Sequence, residues 1–341
     1  MTKIINNEHV FILAEVAQSY EGDIDILVQI AQKACLAGVD GVMFQVVFAD
    51  ELTVPEHACY NLFQSLEMPN ESWKKVIDVI HAEDKLAIGE IFGNKSLDMM
   101  VRLEIDGLKI HAADISNHAL LYRIGQTKLP ALLAVGGAYK SEIQSAIKAL
   151  KDGGSQEIVL LYGYQLCPTQ VEDSHLNKIS PLEKEFNLPV GFSDHLAGCI
   201  DNKIDNVNEM AFYFPLIAIG AGAKLIEKHI ILDRTKAWED YESAITAKEF
   251  IKFVELVRTY EKSLGTKDIT INNAEGIYRT GAIKYVVASR NIAVNTILSE
   301  KDVIYKRVTN PEEGIPHMSD ILGKIVNQDV NENQTITKNL F

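Results

Sequence analysis

An eightfold alternation of short apolar runs and amphipathic stretches constrains the fold more than any other feature of this sequence. Runs rich in Val, Ile and Leu are separated by segments of helical period, which is typical of successive βα units around a parallel sheet. Eight such units before Gly265 suit a (β/α)8 TIM barrel, which needs roughly 250 residues. A doubly wound sheet is the alternative, because periodicity alone does not show that a sheet closes. The predicted strands are residues 10–16, 40–47, 85–91, 107–112, 130–136, 157–163, 189–194 and 223–230.

The pattern of predicted secondary structure changes after Gly265. From about Ala282 onward, short extended pieces alternate with Asn, Pro and Gly turns instead of long helices. We therefore predict three parts: a catalytic α/β barrel domain over 1–265, a linker over 266–281 and a small domain over 282–341.

Charge and cysteine usage exclude several functions. The formal net charge is −14 and no basic stripe is present, so nucleic-acid binding is not expected. The four cysteines lack the paired spacing of a zinc ribbon or disulfide framework, which suits a reducing cytoplasm. The N-terminus lacks an apolar signal core, and the longest apolar run, 210–223, is too short to span a bilayer. We expect a cytoplasmic protein without a membrane anchor that acts on a small molecule.

Two histidines close neighbouring predicted strands. In a barrel of this kind the active site lies at the carboxyl ends of the strands, and His195 and His229 end the seventh and eighth. They could bind one metal ion together, and a carboxylate such as Glu15 or Asp240 could complete the coordination. The simpler alternative is that both rings form ordinary hydrogen bonds at strand ends.

Two charged residues interrupt apolar strands. Glu15 lies within FILAEVA and Lys109 within GLKIHA. An unpaired charge in a core is costly, so Glu15 ligates a metal, acts as an acid or base, or pairs with a lysine. Lys109 is a candidate for that partner.

Several motifs, taken in chain order, resemble the sialic acid synthase family, which includes N-acetylneuraminate, legionaminate and pseudaminate synthases and spore-coat relatives. The opening FILAEVAQSYEGDIDILVQIAQKACLAGVDGVMFQ carries the resemblance, which continues through LKIHAADISNHALL, CPTQVEDSHL, VGFSDHLAG and GAKLIEKHIILDR. The closing ASRNIAVNTILSEKDVIYKRV and ILGK resemble that family's antifreeze-like (SAF) domain. The resemblance covers essentially the whole chain and implies a TIM barrel followed by an SAF domain.

The resemblance also implies an activity. Members of the family condense phosphoenolpyruvate with an open-chain N-acyl hexosamine or its phosphate, forming a 3-deoxy-2-keto acid. A divalent ion, commonly Mn with Mg, Co and Zn also possible, is held at positions that match His195 and His229 and activates the aldehyde.

Further roles follow from the same match. Glu15 and Asp240 would be catalytic residues beside the metal. Arg307 resembles an arginine that reaches the partner subunit's barrel, which implies a domain-swapped homodimer. The residues implied to bind substrate are Gln45, Lys109, Asp114, Ser193 and Arg307.

The positions that hold phosphate in the family are largely changed here. A phosphate site needs positive charge and hydrogen-bond donors, yet only Lys109 and Ser193 match the family pattern. At family geometry Glu90 would repel a phosphate. The altered positions are Met43 for lysine, Glu90 for threonine, and Ala112 and Ala134 for serines.

Other departures lie nearby. Ser19-Tyr20, Tyr162-Gly163 and Cys167 replace family residues around the same end of the barrel. An additional segment, CIDNKIDNVNEM, follows SDHLAG and could rebuild or cap the site.

Three functions remain open from the sequence. The chain could be a synthase that rebuilds its phosphate contacts from His111, Lys95 or Lys228. It could instead be a metal-dependent aldolase or lyase that uses pyruvate or another 2-keto acid. The third possibility is a catalytically silent sugar-binding homologue, which retention of the presumed metal-site residues opposes.

Overall fold

The computed structural model describes residues 4–5, 9–164, 166–200 and 203–341, without the side chains of 200 and 203–207. The chain divides into two compact units, Met1–Gly265 and Thr266–Phe341. Each is described separately below.

The first unit is built on a closed barrel of parallel strands. Each strand pairs with the next, and the last pairs with the first, so that Phe11 lies opposite Leu225 and Glu15 opposite His229. This closure confirms the barrel and excludes the doubly wound alternative. The strands are β1 (Phe11–Glu15), β2 (Gly41–Val46), β3 (Leu86–Ile91), β4 (Gly107–Ile110), β5 (Ala131–Ala134), β6 (Ile158–Tyr162), β7 (Val190–Asp194) and β8 (Leu225–Ile231).

A helix follows each barrel strand, and local capping explains where several of them begin. The Asp23 carboxylate accepts hydrogen bonds from the backbone N–H groups of Asp25 and Ile26 at 2.8 and 3.3 Å. Thr246 and Glu249 cap the last helix reciprocally. The helices are α1 (Ile24–Leu36), α2 (Asn70–Ala82), α3 (Asn94–Arg102), α4 (His118–Thr127), α5 (Lys140–Gly153), α6 (Ile179–Phe186), α7 (Met210–Gly220) and α8 (Ala247–Tyr260).

Smaller elements decorate the barrel. Short helices cover Ala49–Leu52 and Tyr60–Ser65 after β2, and the strand Ile245–Thr246 extends the sheet beside β8. The additional segment after SDHLAG contains an antiparallel pair of strands, Cys199–Ile200 and Lys203–Val207, while Asp201 and Asn202 lie outside the described residues. No helix in the described part of the chain is both long and apolar enough to cross a bilayer.

The inside of the barrel has an apolar base. Side chains alternate between the interior and the helical layer along each strand, and one set of interior residues forms a separate cluster. Met43 belongs to this base and is fully buried. The other members are Ile4, Phe11, Leu13, Ile88, Leu132, Val159, Leu161 and Leu225.

The second unit contains little regular structure. Helix Asn273–Ala282, capped by Asn272, covers the second half of the segment predicted as a linker and ends one residue beyond it. Strands Tyr285–Ala288 and Val303–Lys306 pair antiparallel, and isolated bridges connect the remaining extended pieces. Its own apolar core includes Val286, Ile292, Ile321, Val326 and Ile336.

Candidate active site

A layer of buried polar side chains lies beyond the apolar base, toward the carboxyl ends of the strands. It contains Glu15, Glu90, Lys109, Ser193 and Glu227, each no more than 4% exposed. Alternation along the strands explains the change from apolar to polar. Glu15 is two residues after Leu13, Glu90 two after Ile88 and Glu227 two after Leu225, so each pair faces the same interior.

Lys109 occupies the centre of this layer and contacts three carboxylates. Its Nζ lies 2.9 Å from Glu227 Oε1, 3.3 Å from Glu90 Oε1 and 3.4 Å from Glu15 Oε2. Burial alone would lower the pKa of Lys109, but the three carboxylates together raise it above its ordinary value. Lys109 is therefore held as a cation, and its charge is already matched by groups of the chain itself.

Glu227 connects Lys109 and Ser193, the two residues to which the resemblance assigns phosphate binding. One oxygen accepts from Lys109, and the other accepts a hydrogen bond from Ser193 Oγ at 3.1 Å. Glu227 was not among the site residues predicted from the sequence. The available signal was the spacing, because Glu227 precedes His229 by two residues and must face the same side of the strand.

Glu15 is the carboxyl group best suited to hold a proton. Burial raises its pKa well above the ordinary value, and Lys109 lowers it while Glu90 and Glu227 raise it further. One oxygen accepts a hydrogen bond from the Ala17 backbone N–H at 2.6 Å. A carboxyl group with a raised pKa is a candidate general acid or base.

Glu90 is buried without a hydrogen bond. It forms an ion pair with Lys109 whose geometry does not make a hydrogen bond. Neither carboxylate oxygen has a donor among the described residues. An unsatisfied buried carboxylate is costly, so Glu90 has unused capacity to accept hydrogen bonds.

His195 and His229 lie together just beyond the carboxylate layer, with ring centroids 4.9 Å apart. Burial lowers the pKa of His195 to about 4, and burial also lowers the pKa of His229 well below its ordinary value. Both rings are therefore neutral at pH 7, the form that ligates metals.

The ring nitrogens fit a metal ion only in part. Both Nδ1 atoms are buried and lack a hydrogen bond of normal geometry within the described residues. Two neutral imidazoles with unsatisfied nitrogens fit as ligands of one divalent ion. In the part of the chain described here, no group of three or more His, Cys, Asp or Glu side chains is arranged to hold an ion. Completion of the ligand set by Glu15 or Asp240 remains a prediction.

Asp240 lies at the rim of the same end of the barrel. Its Oδ2 accepts a long hydrogen bond of 3.4 Å from the Gln18 backbone N–H, and Gln18 also donates through its side chain to Gln45 Oε1 at 2.9 Å. Burial raises the pKa of Asp240 to about 6. Asp240 and Gln45 are therefore linked through Gln18.

The other two predicted sugar-side residues have separate surroundings. Asp114 follows β4, is half-buried and accepts a hydrogen bond of 2.9 Å from Asn117 Nδ2. Arg307 belongs to the second unit, is exposed and donates to the Ala282 carbonyl at 3.3 Å. The role of each remains a prediction.

The two lysines that could replace lost phosphate contacts are paired with carboxylates. Lys228 Nζ lies 2.8 Å from Asp194 Oδ2 with both side chains buried. Lys95 Nζ lies 3.3 Å from Asp50 Oδ2 at the surface. His111 uses Nδ1 to accept from the Ala113 backbone N–H at 3.1 Å.

This arrangement defines an enzyme of the (β/α)8 class, with buried carboxylates and a histidine pair at the active-site end. The NeuB family model matches residues 30–269 and the SAF domain model matches residues 283–341. The chain belongs to the NeuB family and carries a C-terminal SAF domain.

Three relatives are similar to this chain over nearly its whole length. The chain is 30% identical to an uncharacterised protein of Methanocaldococcus jannaschii, covering 96% of this chain and 94% of that one. It is 25% identical to pseudaminic acid synthase of Campylobacter jejuni, covering 95% and 94%. It is also 25% identical to N,N'-diacetyllegionaminic acid synthase of Legionella pneumophila, covering 96% and 93%.

Solved structures agree with the fold. N-acetylneuraminic acid synthetase of Leptospira borgpetersenii matches with a TM-score of 0.73 and 27% identity, covering 81% of this chain and 93% of that one. A putative spore coat polysaccharide biosynthesis protein E of Chromobacterium violaceum matches with a TM-score of 0.78 over 96% and 98%. At 17% identity the second match supports the fold alone.

Proposed function

We propose that this chain is a synthase of nonulosonic, sialic-acid-like acids. It joins a three-carbon donor to the aldehyde of an open-chain N-acyl hexosamine or its phosphate and forms a 3-deoxy-2-keto acid. The observation that carries the proposal is the juxtaposition of a neutral histidine pair with buried carboxyl groups at the active-site end of a NeuB-family barrel.

The residues of the proposed site have two main roles, metal binding and proton transfer. His195 and His229 would hold a divalent ion, with Mn the first candidate and Mg, Co or Zn as alternatives. When bound, the ion would supply Lewis-acid polarisation of the aldehyde oxygen. Glu15 and Asp240 would move the protons, while Gln45 and Asp114 would orient the sugar hydroxyls.

The resemblance implies phosphoenolpyruvate as the donor, and pyruvate is the second candidate. The three carboxylates around Lys109 favour the second, metal-dependent aldolase chemistry. Both donors give the same type of carbon–carbon bond and differ in whether phosphate is released.

A swapped homodimer is part of the proposal. By resemblance, Arg307 of one subunit would bind the N-acyl group in the barrel of the other. Arg307→Ala would then raise the KM for the acyl sugar while leaving metal retention unchanged. An unaltered KM across the acceptor panel would remove Arg307 from the proposed site.

The direct test is product formation. Purified protein is loaded with Mn²⁺ and incubated with each donor and a panel of N-acyl hexosamines and their 6-phosphates, and 3-deoxy-2-keto acids are detected by mass spectrometry. We expect product from at least one combination of donor and acceptor, and no product from the His195→Ala variant. Absence of product across the panel, with the metal demonstrably bound, would favour the silent sugar-binding homologue.

Asp240 is expected to make the rate of the proposed reaction depend on pH on the acid side of its pH–rate profile, here called the acid limb. Because burial raises its pKa to about 6, the carboxyl is mostly protonated at pH 5 and mostly ionised at pH 7. If the ionised form is the working base, kcat/KM should rise with pH around 6. Asp240→Asn should lower kcat by on the order of 10²–10⁴ and abolish this limb. An unchanged limb in the variant would assign it to another group.

A further inference from the structure

We propose that Asp194 and Lys228 are positioning residues for the histidine pair. Their buried ion pair joins β7 to β8, and each of the two residues directly precedes one of the histidines. This ion pair would fix the distance between the His195 and His229 rings and their relative direction. The inference rests on the proposed function for the metal ion, and it adds two residues that bind neither metal nor substrate.

The first support is the register of the two strands. Asp194 and Lys228 are direct partners in the parallel pairing of β7 with β8. Neighbouring residues of a strand point to opposite sides of the sheet, and Ser193 and Glu227 contact each other in the polar layer inside the barrel. Asp194 and Lys228 therefore face the helices. Their ion pair lies behind the wall of the barrel that carries the two histidines.

The second support is the way in which the Asp194 carboxylate is bonded. Its Oδ2 accepts a hydrogen bond from Lys228 Nζ at 2.8 Å, and its Oδ1 accepts one from the Leu196 backbone N–H at 2.9 Å. The bond to Leu196 spans His195, because it joins the residue before this histidine to the residue after it. One carboxylate thus holds the backbone on both sides of His195 and also bonds the residue that precedes His229.

The third support is the bonding of the histidines themselves. The carbonyl oxygen of His195 accepts hydrogen bonds from the Thr169 backbone N–H and from Ser243 Oγ, each at 2.8 Å. A ligating histidine is usually oriented by a hydrogen bond from its second ring nitrogen. Neither Nδ1 atom of the pair has such a bond of normal geometry among the described residues. The direction of the rings therefore depends on the backbone that carries them.

The fourth support is the burial of the ion pair. Lys228 is 0% exposed and Asp194 is 1% exposed. Two residues earlier on the same strand faces, Ile226 and Phe192 belong to the apolar layer between the sheet and the helices, where the Phe192 ring lies 6.0 Å from that of Phe214 on α7. Solvent screens an ion pair in such surroundings very little. The pair therefore favours one arrangement of the two strands.

The test uses a double variant, Asp194→Asn with Lys228→Met. It removes both charges together, which avoids leaving one buried charge without its partner, and the amide oxygen can still accept the bond from Leu196. Because loss of groups that support metal ligands costs about 10–100-fold in metal affinity, we expect Co²⁺ to bind at least tenfold more weakly. The visible absorption spectrum of bound Co²⁺, which reports the coordination geometry, should also change.

A second measurement needs no metal. The ring nitrogens are observed by NMR in metal-free protein labelled with ¹⁵N-histidine. We expect the signals of His195 and His229 to shift in the double variant, while those of the exposed His57 and His118 stay in place. A role in stability alone would lower the free energy of unfolding without moving the ring signals of the folded protein.

The matched control is Arg258→Met. Arg258 on α8 pairs with Asp40, which directly precedes β2. The variant thus removes an ion pair at the amino-terminal end of the barrel, opposite the histidines. It should leave both the Co²⁺ affinity and the ring signals unchanged. If the double variant does not fold, Lys228→Gln replaces it, because the amide can still donate to Asp194, and we expect changes in the same direction.

The outcomes separate this inference from the proposed function. Wild-type Co²⁺ affinity and spectrum in the folded variant, with unmoved ring signals, would overturn the inference and leave the proposed function intact. If the unaltered protein binds no Co²⁺, the proposed metal site fails, and the NMR comparison alone decides whether Asp194 and Lys228 position the rings.

Discussion

Replacing His229 with alanine is expected to abolish metal retention and to lower synthase activity by two orders of magnitude or more. Removing residues that only support a metal ligand already costs about 10–100-fold, and His229 supplies one of two neighbouring imidazoles. His195→Ala should give the same result, because the remaining ring would be a single protein ligand. Metal content after dialysis, measured by mass spectrometry, and turnover under saturating substrate check both variants.

The matched control is His118→Ala, which removes an exposed imidazole at the start of α4. It should leave metal content and turnover unchanged. If His195→Ala and His229→Ala both keep one equivalent of metal with wild-type affinity, the metal is held elsewhere. The histidine pair would then be no more than a hydrogen-bonding or packing feature.

The sequence predicted the barrel strands well because their signal is local. Each predicted run overlaps one observed strand and differs from it by no more than two residues at either end. Closure was not predictable, since it depends on the pairing of β1 with β8, two strands more than 200 residues apart. The helix within the predicted linker was missed, although Asn272 and Glu275 form a recognisable N-terminal cap.

Several individual residues of the site could be predicted from the sequence, but the contacts between them could not. Glu15 and Lys109 were suspected because each interrupts an apolar strand, and the structure places them 3.4 Å apart. Nothing in the sequence showed that Glu90 and Glu227 would meet the same ammonium group, because these residues come from different strands around the barrel. Because the barrel closes, the suspected pair of Glu15 and Lys109 is part of a cluster of four residues. Its three carboxylates outnumber its single cation.

The negative charge of this cluster bears on the positions where family residues that bind phosphate are replaced. Taken singly, Met43 and Glu90 are substitutions in a motif. In the structure Glu90 contacts Lys109, while Met43 belongs to the apolar base. Lys109 and Ser193 are both engaged by Glu227. Loss of donors and neutralisation of the remaining cation therefore act in the same direction.

Lys109→Met is expected to lower the free energy of unfolding at pH 7 by about 3–5 kcal/mol, the cost of removing one partner from a buried ion pair. Methionine has nearly the length of lysine, so the loss would come from charge and not from a cavity. Glu15, Glu90 and Glu227 would remain buried without their common cation. Denaturant unfolding followed by circular dichroism measures the change.

The pH dependence distinguishes this cause from poor packing. Uncompensated carboxyls have raised pKa values in the folded state, so they contribute stability at low pH that is lost as the pH rises through those values. The deficit of Lys109→Met should therefore shrink between pH 7.5 and pH 5, and adding Glu227→Gln should recover part of it. Lys95→Met, which breaks an exposed pair with Asp50, should cost no more than about 1 kcal/mol at either pH. A deficit that is the same at both pH values and unaffected by Glu227→Gln would show that Lys109 stabilises the fold by packing and not by charge.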